Sequence, residues 1–254
     1  MLLLLGFLLG ACVGSFLNVI IFRAPEHETV VYGRSKCMHC HTTIRAFDLI
    51  PVLSFLFLGG RCRNCKHKID WQYLLLETAI GFLFVLFLTR FLQGATSSPV
   101  LFRDCVIGSI LVLLFVYDLR YMLIPDKFTI PAIVFVFVMN TGFQIISLSS
   151  MLLGMVVVGG FFLVQFLLSQ GAWVGGGDIR MGVLMGCLLG VTNGLVALFL
   201  SYFIGAIVGG GLLLLKRVNR KTRMPFGTFL VTGTVIVLLT GSSLFHWYFA
   251  LLQV

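Results

Sequence analysis

Residues 194–215 read GLVALFLSYFIGAIVGGGLLLL, twenty-two consecutive positions without a charge, closed by Lys216 and Arg217. A helix of that length rises about 33 Å, enough to cross a hydrocarbon layer of about 30 Å. Working outward, similar apolar stretches recur along the chain. Together they give about eight expected spans: 1–22, 73–92, 100–117, 128–147, 151–169, 179–192, 194–215 and 226–250. The fold class is therefore an all-α polytopic membrane protein. Composition agrees, because 59% of the 254 residues are apolar and only 11% are charged. Too little polar surface remains to cover such a chain as one water-soluble globule. Disorder, a secreted disulfide scaffold and a soluble nucleic-acid binder are excluded on the same ground.

The net charge of +9 follows from topology and calls for no nucleic-acid partner. Sixteen of the 18 Lys and Arg fall in four segments that share one side if there are eight spans. Eight lie in 23–72, five in 216–223, and the rest are Arg120, Lys127 and Arg180, leaving Arg90 and Arg103 for the other side. Basic loops stay cytoplasmic, so both termini are expected outside. The first span has no positive residue ahead of its apolar run, so it reads as a retained helix and not a cleaved signal.

The only sizeable polar segment is 23–72. It contains Cys37-Met38-His39-Cys40 and Cys62-Arg63-Asn64-Cys65, two C-x-x-C pairs. Two residues between cysteines let both thiolates of a turn reach one ion, and two such turns complete a tetrahedral zinc shell. Cys37, Cys40, Cys62 and Cys65 are the expected ligands of a structural zinc in a small cytoplasmic insert. Free thiols or a redox pair are the alternatives. His39, His41 and His67 lie nearby and are expected to be solvated. Cys12, Cys105 and Cys187 are expected to pack as small apolar groups.

The chain has nine acids, and three sit where spans meet the expected cytoplasmic face. Asp118 ends the third span, where the helix dipole disfavours an anion, and Arg120 is a possible partner. Asp126 follows Pro125 and suits a cap for the fourth. Asp178 follows Gly175-Gly176-Gly177, more glycine than a cap needs. Gly182, Gly186 and Gly190 continue its face at four-residue intervals, so another helix can approach closely there. Two aspartates brought together can share a proton, one acting as base toward water and the other polarising a peptide carbonyl. Peptide hydrolysis at the membrane face is the implied chemistry.

These residues resemble a known family, the type IV prepilin leader peptidases that are also N-methyltransferases. The resemblance rests on Gly14-Ser15-Phe16-Leu17-Asn18-Val19 with Arg23, both cysteine pairs, Asp48-Leu49-Ile50-Pro51 with Leu53-Ser54, and Gly60-Arg61 before Cys62. Tyr73 and Glu77, Asp118 with Pro125-Asp126, the G-x-G-D run Gly175–Asp178, and Pro225-Phe226-Gly227 complete it. Thr228 stands where the last signature has its second Pro, and Arg180 where Lys is usual after G-x-G-D.

The resemblance implies Asp118 and Asp178 as catalytic residues, with Gly175, Gly177 and Asp126 supporting the site. It implies cleavage of the basic leader of a prepilin or pseudopilin, then N-methylation from S-adenosylmethionine. Gly60, Asn18, Glu77 and Asp48 are candidates for the methyl-donor site. Each also has a structural reading, respectively a turn, helix packing, an interfacial polar contact and a cap. The expected organisation is a first helix 1–22, a zinc insert 23–72 linked to methylation, and a peptidase bundle 73–254. The localisation implied is the bacterial inner membrane, in contact with lipid. A leader peptidase without methylation and a cation-coupled transporter are the competing readings.

Overall fold

A computed structural model describes residues 1–24, 34–217, 219 and 224–241. Among the described residues eight α-helices follow one another: α1 (Leu2–Arg23), α2 (Leu53–Phe57), α3 (Trp71–Leu92), α4 (Ser98–Tyr121), α5 (Asp126–Gly142), α6 (Leu148–Ser169), α7 (Gly176–Leu214) and α8 (Phe226–Thr240). The described residues form no strand, only the isolated bridges Lys36–Thr43 and Arg61–Lys68. Five helices (α1, α3, α4, α6 and α7) are long and apolar enough to cross a membrane. The protein is thus a helical membrane protein. Outward positions such as Val156, Leu168 and Phe199 are 69–75% exposed, the pattern of side chains that face lipid. The expected span 226–250 is described only as far as Gly241, so its end lies outside the described residues, as do Arg220, Lys221 and Arg223.

The chain forms two compact units, Met1–Leu101 and Phe102–Val254. In the first, α1 and α3 pack antiparallel, so residues 73–101 group with α1 here. Glycines make this possible. A Cβ on Gly10 would lie 2.7 Å from the Ile80 carbonyl oxygen, and one on Gly14 would lie 2.8 Å from the Glu77 Cα. Asp70 starts α3 by accepting the Gln72 N–H at 3.0 Å, a helix cap.

In the second unit α7 turns back on itself. The expected spans 179–192 and 194–215 lie in one helical element broken at Gly190, whose φ of 74° and ψ of −174° only glycine adopts without strain. Gly182 meets Val158 and Phe162 of α6, Gly186 meets Gly154, and Gly190 meets Ser150, so the first limb runs antiparallel to α6. Beyond the break, Gly194 meets Val158 and Tyr202 stacks on Phe162, so the second limb runs parallel to α6. The two limbs therefore oppose each other, and α6 fills the glycine stripe of the first.

A break in a membrane helix strands backbone groups that hydrocarbon cannot satisfy. Here the Val191 N–H donates to Ser150 Oγ at 3.3 Å, and the Cys187 carbonyl accepts from Asn140 Nδ2 at 2.8 Å. Asn140 Oδ1 accepts from Arg103 Nη1 at 2.8 Å. Asp104 Oδ1 takes the Arg103 Nε and Nη2 hydrogens at 2.9 and 2.7 Å. All three side chains are buried. Arg103, counted from sequence toward the outer side, is therefore a buried residue of α4 with a partner inside the bundle.

The closest approach tests this packing. A Cβ on Gly186 would lie 2.2 Å from the Gly154 backbone, whereas one on Gly160 would meet nothing within 4 Å. Gly186→Ala is expected to destabilise the purified protein by about 1–3 kcal/mol, read as a lower Tm in detergent. Gly160→Ala is expected to leave it unchanged or slightly higher.

Candidate functional site

Asp118 sits in the last turn of α4 and is 5% exposed. The negative end of its own helix offers it nothing, and its compensation comes from α8. Asp118 Oδ2 accepts the Thr228 N–H at 2.9 Å, and the Gly227 amide also faces the carboxylate. Both amides belong to the first turn of α8, which Pro225 precedes. The acid therefore rests on the positive end of a second helix. The approach is close: a Cβ on Gly227 would be 2.8 Å from Asp118 Oδ2 and 2.7 Å from Ile124 Cδ1.

Asp178 lies in the first turn of α7, 9% exposed. Its Oδ2 accepts the Gly175 N–H at 3.0 Å, and its own N–H donates back to the Gly175 carbonyl at 3.1 Å. Of the three preceding glycines, only Gly177 is forced by space, since its Cβ would lie 2.9 Å from Ile124 Cβ. Ile124 thus touches Gly177 of α7 with its stem and Gly227 of α8 with its tip. That wedge brings the two aspartates together, and Asp178 lies within electrostatic reach of Asp118.

Asp126 corrects an expectation. It does not cap α5, since it lies inside the first turn and makes no capping hydrogen bond. Its carboxylate instead pairs with Arg180, two residues beyond Asp178, and ties the start of α5 to the start of α7. Around the acids stands an aromatic cluster. Tyr202 is 5.0 Å from Phe226 and Phe162 is 6.2 Å from Phe226 between ring centroids. The Tyr202 hydroxyl bonds Gln165 at 3.1 and 3.2 Å. Sequence reasoning missed Thr228, Ile124, Tyr202 and Phe162 as site residues. Pro225, a helix-start signal, and the Pro225-Phe226-Gly227 signature pointed to the neighbourhood of the first.

The first unit holds the other candidates. Cys37, Cys40, Cys62 and Cys65 come together with all four sulfurs within 4.8 Å of one another. Cys37 Sγ and Cys65 Sγ are 3.8 Å apart, about the edge of a tetrahedron with Zn–S bonds of about 2.3 Å. The two turns are alike. Cys37 N–H donates to the Thr42 carbonyl and Cys62 N–H to the His67 carbonyl, and His41 and Lys66 both take positive φ, 55° and 57°. The Thr42 hydroxyl and backbone beside Cys40 lower its thiol to about 6, and the Cys65 and Asn64 backbone amides lower Cys62. At Cys65 the His67 amide acts in the same direction, but desolvation and the three other sulfurs outweigh it and push the thiol up to about 11. Such a cluster holds protons that a soft divalent cation replaces, so the donor set fits zinc.

The four methyl-donor candidates all lie in this unit. Asn18 is fully buried at the α1–α3 interface, donating to the Tyr73 carbonyl at 3.4 Å and accepting from Gln72 at 3.3 Å. Glu77 Oε2 accepts the Val52 N–H at 2.7 Å. Asp48 is gripped by Arg63 Nε and Nη2 at 2.9 and 2.7 Å, and that guanidinium holds its carboxyl below the usual range. Gly60 turns with φ 65° beneath the Phe55 ring.

Two family descriptions match the chain: Bacterial Peptidase A24 N-terminal domain over residues 8–91 and Type IV leader peptidase family over residues 105–210. The chain is 33% identical over 242 residues to the prepilin leader peptidase/N-methyltransferase of Bacillus subtilis (strain 168), covering 95% of this chain and 96% of that one. It is 32% identical over 272 residues to that of Aeromonas hydrophila, covering 96% and 92%. The chain belongs to the type IV leader peptidase family. The N-terminal match takes in the cysteine turns, and the second takes in both Asp118 and Asp178. No solved structure matches the chain.

The Ile124 wedge makes a specific demand on leader peptidase activity. Gly227→Ala pushes on both Asp118 and Ile124 and is expected to lower prepilin cleavage by about 10–100-fold with the protein still folded. Gly176→Ala, which meets nothing within 4 Å, is expected to cleave normally.

Proposed function

We propose that the chain removes the leader of a prepilin or pseudopilin and methylates the amino group this exposes. Its relatives over nearly the full length carry both activities in their name, and both family matches are present. The observation that carries the peptidase reading is that Asp118, held by the first turn of α8, and Asp178, in the first turn of α7, lie within electrostatic reach of each other. Asp118 is the catalytic base. It accepts N–H bonds from the first turn of α8, an environment made for the carboxylate, and takes a proton from water as that water attacks the scissile carbonyl. Asp178 is the acid, giving its proton toward the carbonyl oxygen; as the tetrahedral intermediate collapses it takes a hydroxyl proton back, and Asp118 passes the proton it took from water to the leaving amine. Gly177, against Ile124, sets the spacing of the pair, and Gly175 gives Asp178 its backbone partner. The Asp126–Arg180 ion pair holds the start of α7 in place. A cation-coupled transporter has no support in the relatives.

Asp118→Asn and Asp178→Asn are each expected to abolish cleavage in a protein that remains folded in the membrane. The rate of the unsubstituted enzyme should trace a bell with pH. It falls at high pH as the acid loses its proton, and at low pH as the base gains one. Substantial cleavage by either variant would sink the pairing.

Cys37, Cys40, Cys62 and Cys65 hold one structural zinc, which supplies folding energy to an insert too small for a core of its own. S-adenosylmethionine is the methyl donor. Gly60, Asn18, Glu77 and Asp48 are the residues we assign to its site. The chain spans the bacterial inner membrane about eight times, with α7 counted as two limbs. The basic segments and the zinc insert lie in the cytoplasm, both termini lie outside, and lipid surrounds the bundle. Metal analysis of the purified protein is expected to give about one zinc per chain, lost when Cys37 and Cys62 are both replaced by Ser. An intact four-thiol protein without metal would refute the site.

A further inference from the structure

Residues 46–58 read AFDLIPVLSFLFL, thirteen positions with one charge, Asp48. That charge is held by Arg63. The segment lies within the polar insert, yet six of its large apolar side chains are between two-fifths and nine-tenths exposed. Phe57 is 86% exposed, Phe47 82% and Leu56 61%, and Leu49, Ile50 and Leu53 are 42–46% exposed. Only Phe55 turns inward, 5.3 Å from the Trp71 ring. Six large apolar side chains together in water form a patch a soluble surface rarely carries.

The depth of the segment says what covers them. Val52 takes φ 63° and ψ −55°, and the Leu53 N–H donates to the Pro51 carbonyl at 2.6 Å. This is a strained three-residue γ-turn, rare for a β-branched side chain. It leaves the Val52 N–H pointing outward to Glu77 Oε2 at 2.7 Å. Glu77 is the seventh residue of α3, about 9 Å along the helix from Trp71. A side chain leaning back toward the helix start takes a few Å off, leaving Val52 on the order of 5 Å below the level of Trp71. The α1 side agrees, because Gly14, which abuts Glu77, lies nine residues before Arg23. Trp71 starts a membrane-spanning helix and is 66% exposed, as residues of an interfacial aromatic belt are. A point below it is at the edge of the hydrocarbon. Arg45 and Arg61, both exposed, bracket the segment in sequence with charges suited to phosphate headgroups.

We propose that residues 46–58 dip into the bilayer as an interfacial segment, with Phe47, Leu53, Leu56 and Phe57 covered by lipid acyl chains. The insert is thereby fixed to the membrane surface by its own apolar loop as well as by α1 and α3. The Glu77 bond to Val52 holds the loop at that depth.

Bromine-labelled phospholipids quench tryptophan only where it meets acyl chains. In full-length protein reconstituted in such vesicles, with Trp71, Trp173 and Trp247 replaced by Phe, a single tryptophan is introduced by Phe57→Trp. A Phe47→Trp variant serves as a second probe, and retained prepilin cleavage checks folding. The expected result is loss of emission comparable with that of Val156→Trp on the lipid face of α6, and no quenching by aqueous iodide. Quenching by iodide, as expected for Lys68→Trp, would place the loop in water. Protection from both bromine and iodide would mean that protein covers it. Either result overturns the proposal.

Discussion

The reversal at Gly190 is the constraint on which the peptidase unit depends. It lets one element supply two opposed helical limbs, the first carrying Asp178 at its start and meeting Phe162 of α6 through Gly182, the second meeting the same ring through Tyr202. A break inside a membrane strands a carbonyl and an amide, and each unsatisfied group there costs several kcal/mol. The protein answers with Ser150 on one side and the Asn140–Arg103–Asp104 chain on the other. A buried Arg–Asp pair adds little net stability against a well-packed apolar pair. Its value here is orientational. Arg103 fixes which end of the Asn140 amide faces Cys187, and so ties α4, which carries Asp118, to α7, which carries Asp178.

The opposite ends of those two helices hold the reacting groups. An acid at the C-terminal end of α4 is badly placed with respect to its own dipole, and it is stable there because α8 brings its first turn to meet it. Gly227 is what allows that approach, and Ile124 is what limits it. Space and charge are therefore set by the same few residues. Moving α8 outward relieves Ile124 but deprives Asp118 of its donor, and moving it inward does the reverse.

Much of this was legible in the sequence because it is written in local signals. Apolar length gives the helices, the two C-x-x-C turns give the sulfur cluster, and the scarcity of acids leaves Asp118 and Asp178 as leading suspects. What sequence reading could not reach depends on partners far away in the chain. Arg103 reads from sequence as one of two charges on the outer side, because nothing near it announces Asn140, 37 residues on. Asp126 looks like a cap because Pro125 precedes a helix, and only the fold puts Arg180 within its reach. Thr228 carries its role on a backbone amide, which residue type reveals only by not being proline. Gly190 is one of many glycines, and its positive φ is a property of the reversal alone.

One rule of satisfaction runs through both units. Glu77 accepts the amide of a strained turn at Val52, Asp118 that of Thr228, and Asp178 that of Gly175. Each of these carboxylates borrows a main-chain donor that a turn or helix start leaves unpaired, and needs no cation to do it. Among the described carboxylates that are buried, Asp104 alone is held by an arginine. Among the described residues no buried side-chain nitrogen or oxygen lacks a partner. An acid held by an amide keeps a second oxygen and no bound positive charge, so it remains able to exchange a proton. An acid locked to a guanidinium does not. The difference separates the carboxylates suited to chemistry from the one suited to architecture.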